Sequence, residues 1–136
     1  MAVRKDTDIK RKALGKAGEE MAARMLESRG YTVLERNWRA SHKEIDLICR
    51  DGADLRFVEV KTRQEPMEGE PWEAVNQKKQ RNIASAAGAY LASGRCRALP
   101  GGVNESHFDV ITIVWDERGE NCRTEYIPDA YILIYV

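Results

Sequence analysis

The residues in this chain best suited to do chemistry are two carboxylates and a lysine. Phe57 to Arg63, FVEVKTR, has the composition of a strand. Alternation along it puts Phe57, Glu59, Lys61 and Arg63 on one face and Val58, Val60 and Thr62 on the other. A carboxylate and an ammonium carried into the depth of such a segment need a metal, an ion-pair partner or a polar ligand, because an unpaired buried charge costs several kcal/mol or more. Asp46 precedes Glu59 by twelve intervening residues, and Asp51-Gly52 between them is a tight-turn signal. If that turn folds the chain back as a hairpin, Asp46 and Glu59 converge on neighbouring strands. Two such oxygen donors suit Mg²⁺ or Mn²⁺, which keep several waters for substrate and nucleophile. The matching reaction is phosphodiester hydrolysis. The metal would activate a water and neutralise the phosphoryl oxygens, and Lys61 would position the water or meet the negative charge. As a bare string, D-x12-E-x-K recurs by chance. Two plainer readings stand beside it: an edge strand whose charged face meets water, and an internal Glu59–Lys61 ion pair.

A third carboxylate is offered by the stretch Lys10 to Arg29, where Leu14, Ala17, Met21, Ala22, Met25 and Leu26 recur at helical spacing and Gly30 supplies a stop. At ~100° per residue, Glu19 falls ~20° from Leu26 and borders the apolar stripe, whereas Glu20 lies opposite with Arg24 as a surface i,i+4 pair. Glu19 is thus the candidate for a site between helix and sheet. Gly15 and Gly18 mark either a close approach of this helix to the sheet or an irregular helix start. In a second helix, opened by Pro71 and running to about Ser93, Lys79 projects on the side of Trp72, Val75, Ile83 and Ala86. Its ammonium either reaches the sheet or runs out to water along a buried stem.

The remaining elements have to position these groups. Tyr31–Trp38, Glu44–Arg50 and Leu55–Arg63 read as a three-strand meander, and Gln64–Glu70 as an exposed loop. Gly94 is expected to cap the second helix, Leu99–Glu105 with Pro100-Gly101-Gly102 is another loop, and Phe108–Trp115 and Ala130–Val136 read as late strands around a turn near Glu117–Asn121. The order αβββαββ predicts an α/β fold with a mixed β-sheet flanked by helices. The 136 residues, 43% of them hydrophobic, suit one domain spanning 1–136, with the first nine residues expected to fray.

Composition narrows the function classes. Cys49, Cys96 and Cys122 are scattered and form no CxxC pair, and His42 and His107 stand alone. Neither a disulfide framework nor a cysteine- or histidine-based metal site is expected. No apolar run approaches the roughly 20 residues of a membrane span, and MAVRKDTDIKRK lacks the apolar stretch of a secretion signal, so a soluble, cytoplasmic protein is expected. Formal charge is zero, but residues 105–136 carry net minus five and residues 1–104 plus five. Basic groups gather at Arg4–Lys16 and at Lys78, Lys79, Arg81, Arg95 and Arg97. Such patches either bind phosphates or form an ordinary solvated face.

Taken in order, GKAGEEMAA (Gly15–Ala23), RGYTVLERNWR (Arg29–Arg39), EIDLI (Glu44–Ile48), FVEVKTR and AVNQKKQR (Ala74–Arg81) resemble the YraN family of small bacterial proteins, which is similar to archaeal Holliday-junction resolvases. The resemblance covers Gly15 to about Val114. It implies a restriction-endonuclease-like core of the PD-(D/E)XK nuclease superfamily, with Mg²⁺ (or Mn²⁺) held by Asp46, Glu59 and Glu19 and with Lys61 completing the catalytic set. It also places Lys79 at a basic position of the second helix. Lys79, Arg63, Arg39, Lys16, Lys78 and Arg81 are the candidate nucleic-acid contacts. Lys43 stands where the family usually has glycine before EID. The expectation is a metal-dependent endonuclease acting on structured, possibly branched DNA. The alternative is a non-catalytic nucleic-acid-binding module of the same fold. A homodimer follows by analogy with resolvase chemistry on two strands. A third reading is a structural or partner-binding protein in which Glu59 and Lys61 form an internal ion pair and the apolar run Tyr131–Val136 forms an interface.

Overall fold

The computed structural model describes residues 2–66 and 77–131, with side chains from residue 8 onward. Helix α1 spans Ala2–Ser28, strands β1, β2 and β3 span Thr32–Ala40, Lys43–Asp51 and Asp54–Gln64, and helix α2 spans Gln77–Leu91. A one-turn helix α3 (Gly94–Arg97) precedes β4 (Ser106–Trp115) and β5 (Cys122–Ile127). The strands form one mixed sheet in the order β1-β2-β3-β4-β5. All neighbours are antiparallel except β3 and β4, which run parallel from Leu55↔Ser106 to Gln64↔Trp115. Parallel neighbours require a crossover, and α2 lies within it. The strand carrying Glu59 and Lys61 is therefore the middle strand, which removes the reading of a charged edge strand.

Each face of the sheet is covered by a helix. Ala22, Ala23 and Leu26 of α1 pack with Leu47, Cys49, Val58, Ile111 and Ile113. Ile83, Ala86, Ala87 and Tyr90 of α2 pack with Ile45, Ile48, Leu55, Phe57 and Phe108, and Tyr90 meets Trp38 edge-on at 5.2 Å. α1 ends as expected: Gly30 takes φ +88 and the Tyr31 N–H returns to the Leu26 carbonyl. The helix starts before Lys10, although its apolar spacing begins only there.

One expectation is corrected. Gly94 does not cap α2. It opens α3, because the Ser93 side chain caps the Cys96 N–H and starts a new turn. The described residues also hold a strand that was not expected, Cys122–Ile127. Asp116 accepts the N–H groups of Glu120 and Asn121, closing a turn that sends the chain straight back along β4 from Trp115↔Cys122. Ala130 and Tyr131 lie outside any strand, and 132–136 fall outside the described residues, as does the expected start of the second helix at Pro71. Among the described residues, no helix is long and apolar enough to cross a membrane.

Candidate active site

A coordinated roll of β1 and β2 creates the space for the site. Residues two apart on a strand ordinarily share a face. Arg36 nevertheless faces α1, bonding Glu20 at 2.6 Å, while Trp38 faces α2. Their partners follow suit: Leu47 packs with the α1 cluster and Ile45 with the α2 cluster. In β1 the roll is made by Asn37 at φ +51, a left-handed conformation that Asn tolerates better than most residues. In β2 it falls at Asp46. The ladder to β3 stops at Leu47↔Val58, and beyond it the Asp46 Oδ2 accepts the Val60 N–H at 2.8 Å. A carboxylate thus stands where a backbone carbonyl would continue the ladder, and Asp46 and Glu59 meet at this parting of the strands.

Glu59 is 4% exposed, and Lys61 and Lys79 both bind the same oxygen, Oε1, at 3.3 and 3.0 Å. Of the two sequence readings of Lys79, the one in which its ammonium reaches the sheet holds. Burial, then the charge of Glu59, pushes the Asp46 carboxyl up to about 7 despite the bond from Val60, with smaller contributions from Glu19 and Glu44. Burial, aided by repulsion from Lys79, lowers the Lys61 ammonium below the usual lysine range in spite of Glu59. For Lys79, burial opposes the charged form, but attraction to Glu59, together with smaller contributions from Lys61 and Asp46, outweighs it and the pKa rises.

Glu19 reaches this site because α1 lies tight on the sheet. A Cβ at Gly18 would stand 2.6 Å from Thr62 Oγ1 and 3.5 Å from Ile113 Cγ1, so Gly18 is the close approach. Gly15 meets nothing within 4 Å. Glu20, as expected, pairs outside with Arg24 at 3.6 Å, and also with Arg36.

The candidate phosphate contacts are spread more widely. Arg63 bonds the Thr62 carbonyl and helps line a cleft of about 540 Å³ with Arg11, Gly15 and Trp115. Lys16, Lys78 and Arg81 are exposed. Arg39 pairs with Glu44 at 3.4 Å on the outer strand β1.

Two clusters escaped the sequence reading. Asp109, fully buried, binds Arg56 through both oxygens at 3.2 Å, the Tyr126 hydroxyl, and the Asp129 N–H at 2.8 Å. The argument applied to Glu59 would have flagged it, since FDVITIVW is an apolar run broken by one acid. Near it, ligand atoms of Asp54, Glu105 and His107 lie within 4.8 Å of one another and could hold a metal, contrary to the expectation that histidine takes no part in such a group. His107 is meanwhile engaged at both ring nitrogens, by Asp54 at 3.0 Å and Asp129 at 2.6 Å. Asp54 stands five residues before Glu59 on β3, roughly 16 Å away at strand spacing. Among the described residues, Asp54, Glu105 and His107 are the only such trio at that spacing; Asp46, Glu59 and Glu19 do not converge so closely.

A mixed five-stranded sheet between helices, with acids and lysines at the parting of two strands, is consistent with a restriction-endonuclease-like α/β fold. Residues 18–113 match the profile of "Uncharacterised protein family UPF0102", and the chain belongs to that family, the YraN family of the sequence reading. It is 41% identical over 120 residues to a UPF0102 protein of Dictyoglomus turgidum, covering 88% of this chain and 98% of the relative. It is 43% identical over 122 residues to one of Chlorobium chlorochromatii, covering 87% and 90%. A relative from Geobacter metallireducens is 42% identical over 124 residues, covering 91% and 96%.

Proposed function

We propose that the protein is a metal-dependent endonuclease hydrolysing phosphodiester bonds in structured DNA, branched junctions included. The observation that carries this reading is the meeting of Asp46 and Glu59 where β2 and β3 part, with Lys61 on the Glu59 carboxylate. The donor set fits a hard dication. Burial, then the charge of Glu59, pushes the Asp46 carboxyl up, and an added cation would offset the second of these. Asp46 and Glu59 would hold Mg²⁺ or Mn²⁺, with Glu19 the third carboxylate at hand. When bound, such an ion lowers the pKa of a water toward neutrality and offsets charge on the phosphoryl oxygens. Lys61 orients that water or donates to the developing negative charge. Arg63, Lys16, Lys78, Lys79, Arg81 and Arg39 supply cations to the strand backbone, and resolvase-like cutting of two strands calls for a homodimer.

The test is cleavage of a labelled four-way DNA junction, with linear duplex and single-strand controls, in Mg²⁺, Mn²⁺ and EDTA. Metal-dependent cutting that is lost in Asp46→Ala is expected, and full activity in that variant refutes the assignment. One observation favours a second reading, a nucleic-acid-binding module that does not cut: two lysines already offer Glu59 their charge. Salt-sensitive junction binding with no turnover in either metal would select it.

A further inference from the structure

We propose that Lys79 is a built-in counter-ion for Glu59, holding the carboxylate in the metal-free protein and surrendering it when a divalent cation enters. The inference rests on the reading of Asp46 and Glu59 as metal ligands and adds a competitor within the same site. Lys61 and Lys79 share one oxygen, yet they are held very differently. Lys61 lies on the same strand two residues from Glu59, with its side chain 11% exposed, whereas Lys79 comes from α2 and its side chain is 41% exposed.

A dication bound directly to a carboxylate oxygen sits about 2.0–2.1 Å from it. An ammonium 3.0 Å from that same oxygen would then stand against a double positive charge in a half-buried place, where repulsion is weakly screened. Lys61 has little freedom to leave. Lys79 has a flexible four-carbon stem and a side chain 41% exposed. Once released, the Lys79 ammonium is available to an incoming phosphate, so one side chain serves as placeholder and then as phosphate contact.

The experiment is Mn²⁺ titration of the full chain by electron paramagnetic resonance, without nucleic acid, comparing wild type with Lys79→Met, Lys79→Arg, Lys43→Met and Asp46→Asn. The ion counted is the one lost in Asp46→Asn, which separates this site from the Asp54, Glu105 and His107 group. Removing a partly exposed competing ion pair should tighten Mn²⁺ binding roughly two- to fivefold in Lys79→Met. Lys79→Arg, which keeps a competing cation, should stay near wild type. Lys43→Met removes a neighbouring ammonium held on Ser85 instead of Glu59 and should change the affinity less than twofold by the same reasoning. Unchanged or weaker binding in Lys79→Met, or an equal gain in Lys43→Met, overturns the proposal while leaving the metal site standing. If wild type binds no Mn²⁺, or Asp46→Asn leaves binding intact, the metal-site reading itself fails and takes the proposal with it.

Discussion

Gly18→Ala should destabilise the protein, and Thr62→Ala should reverse the sign of that effect. In an ordinary helix interior Gly→Ala stabilises by about 1 kcal/mol. Here the new Cβ would stand 2.6 Å from Thr62 Oγ1, with Ile113 at 3.5 Å behind it. Thr62 is β-branched and on a strand, so its χ1 has few alternatives, and overpacking of this kind costs roughly 1–3 kcal/mol. At about 2 kcal/mol the steric cost exceeds the helical gain, leaving a net loss of about 1 kcal/mol. Thr62→Ala removes the clashing oxygen while leaving Ile113 at ordinary contact distance. In that background Gly18→Ala should stabilise by up to about 1 kcal/mol. The assay is urea unfolding followed by far-UV circular dichroism on the four proteins of the cycle. A coupling near 2 kcal/mol is expected, well above the roughly 0.3–0.5 kcal/mol by which independent sites deviate from additivity. Additive changes, or stabilisation by Gly18→Ala in both backgrounds, would show that α1 is not held to β3 at this contact. The placement of Glu19 would then need another explanation.

Other outcomes follow from the charged clusters. The folded-state pKa of Asp46, about 7, lies above its unfolded value near 4. In EDTA its contribution to stability is therefore greatest below about pH 4 and is lost as pH rises through 7. Asp46→Asn should flatten that slope and be the more stable protein at pH 8, by a few kcal/mol at most, from about three units at ~1.4 kcal/mol each; a slope unchanged in the variant refutes the assignment. His107 is raised by Asp54 and Asp129 against partial burial, so its stabilisation is full below its unfolded pKa and fades as pH climbs through the folded one. His107→Gln should remove that component, seen as a flatter melting temperature profile between pH 6 and 8. Asp109→Ala leaves the Tyr126 hydroxyl and one arm of the Arg56 guanidinium without their partner, Arg56 keeping Asp51 at 3.0 Å, and should cost about 1–3 kcal/mol in urea unfolding. Arg63→Ala should weaken junction binding across sequences and lower the salt slope by about 1.

How much of this was legible in the sequence depends on how local the cause is. Glu59 and Lys61 stand out because a period of two is written into seven consecutive residues, and Asp46 comes within reach through the Asp51-Gly52 turn that joins its strand to theirs. Glu19 over Glu20 followed from helix angle alone. The roll at Asn37 and Asp46 was not legible, since a positive φ in mid-strand leaves only a weak compositional mark. The meeting of Lys79 with Glu59 depends on how a crossover helix lies on a sheet, which spacing does not encode. β5 was missed because CRTEYI is half polar, as suits the outer position it takes among the described strands. Asp109 was legible but went unread.

The pairing of β3 with β4 also sets an order of assembly. β1, β2 and β3 are consecutive hairpin partners, and elements of that kind close within microseconds. Leu55, by contrast, must find Ser106, about 50 residues further on, and the entropy of closing so long a loop slows the step. Asp46 and Glu59 belong to the early part, so the carboxylates can come together before the strand beside them arrives. Until it does, the outer edge of β3 is an open row of N–H and C=O groups flanked by Phe57, Val58 and Val60, a ready template for another chain. A chain halted at that stage would carry its two central carboxylates beside its most aggregation-prone edge, and the folding step that shields the one is the step that completes the surroundings of the other.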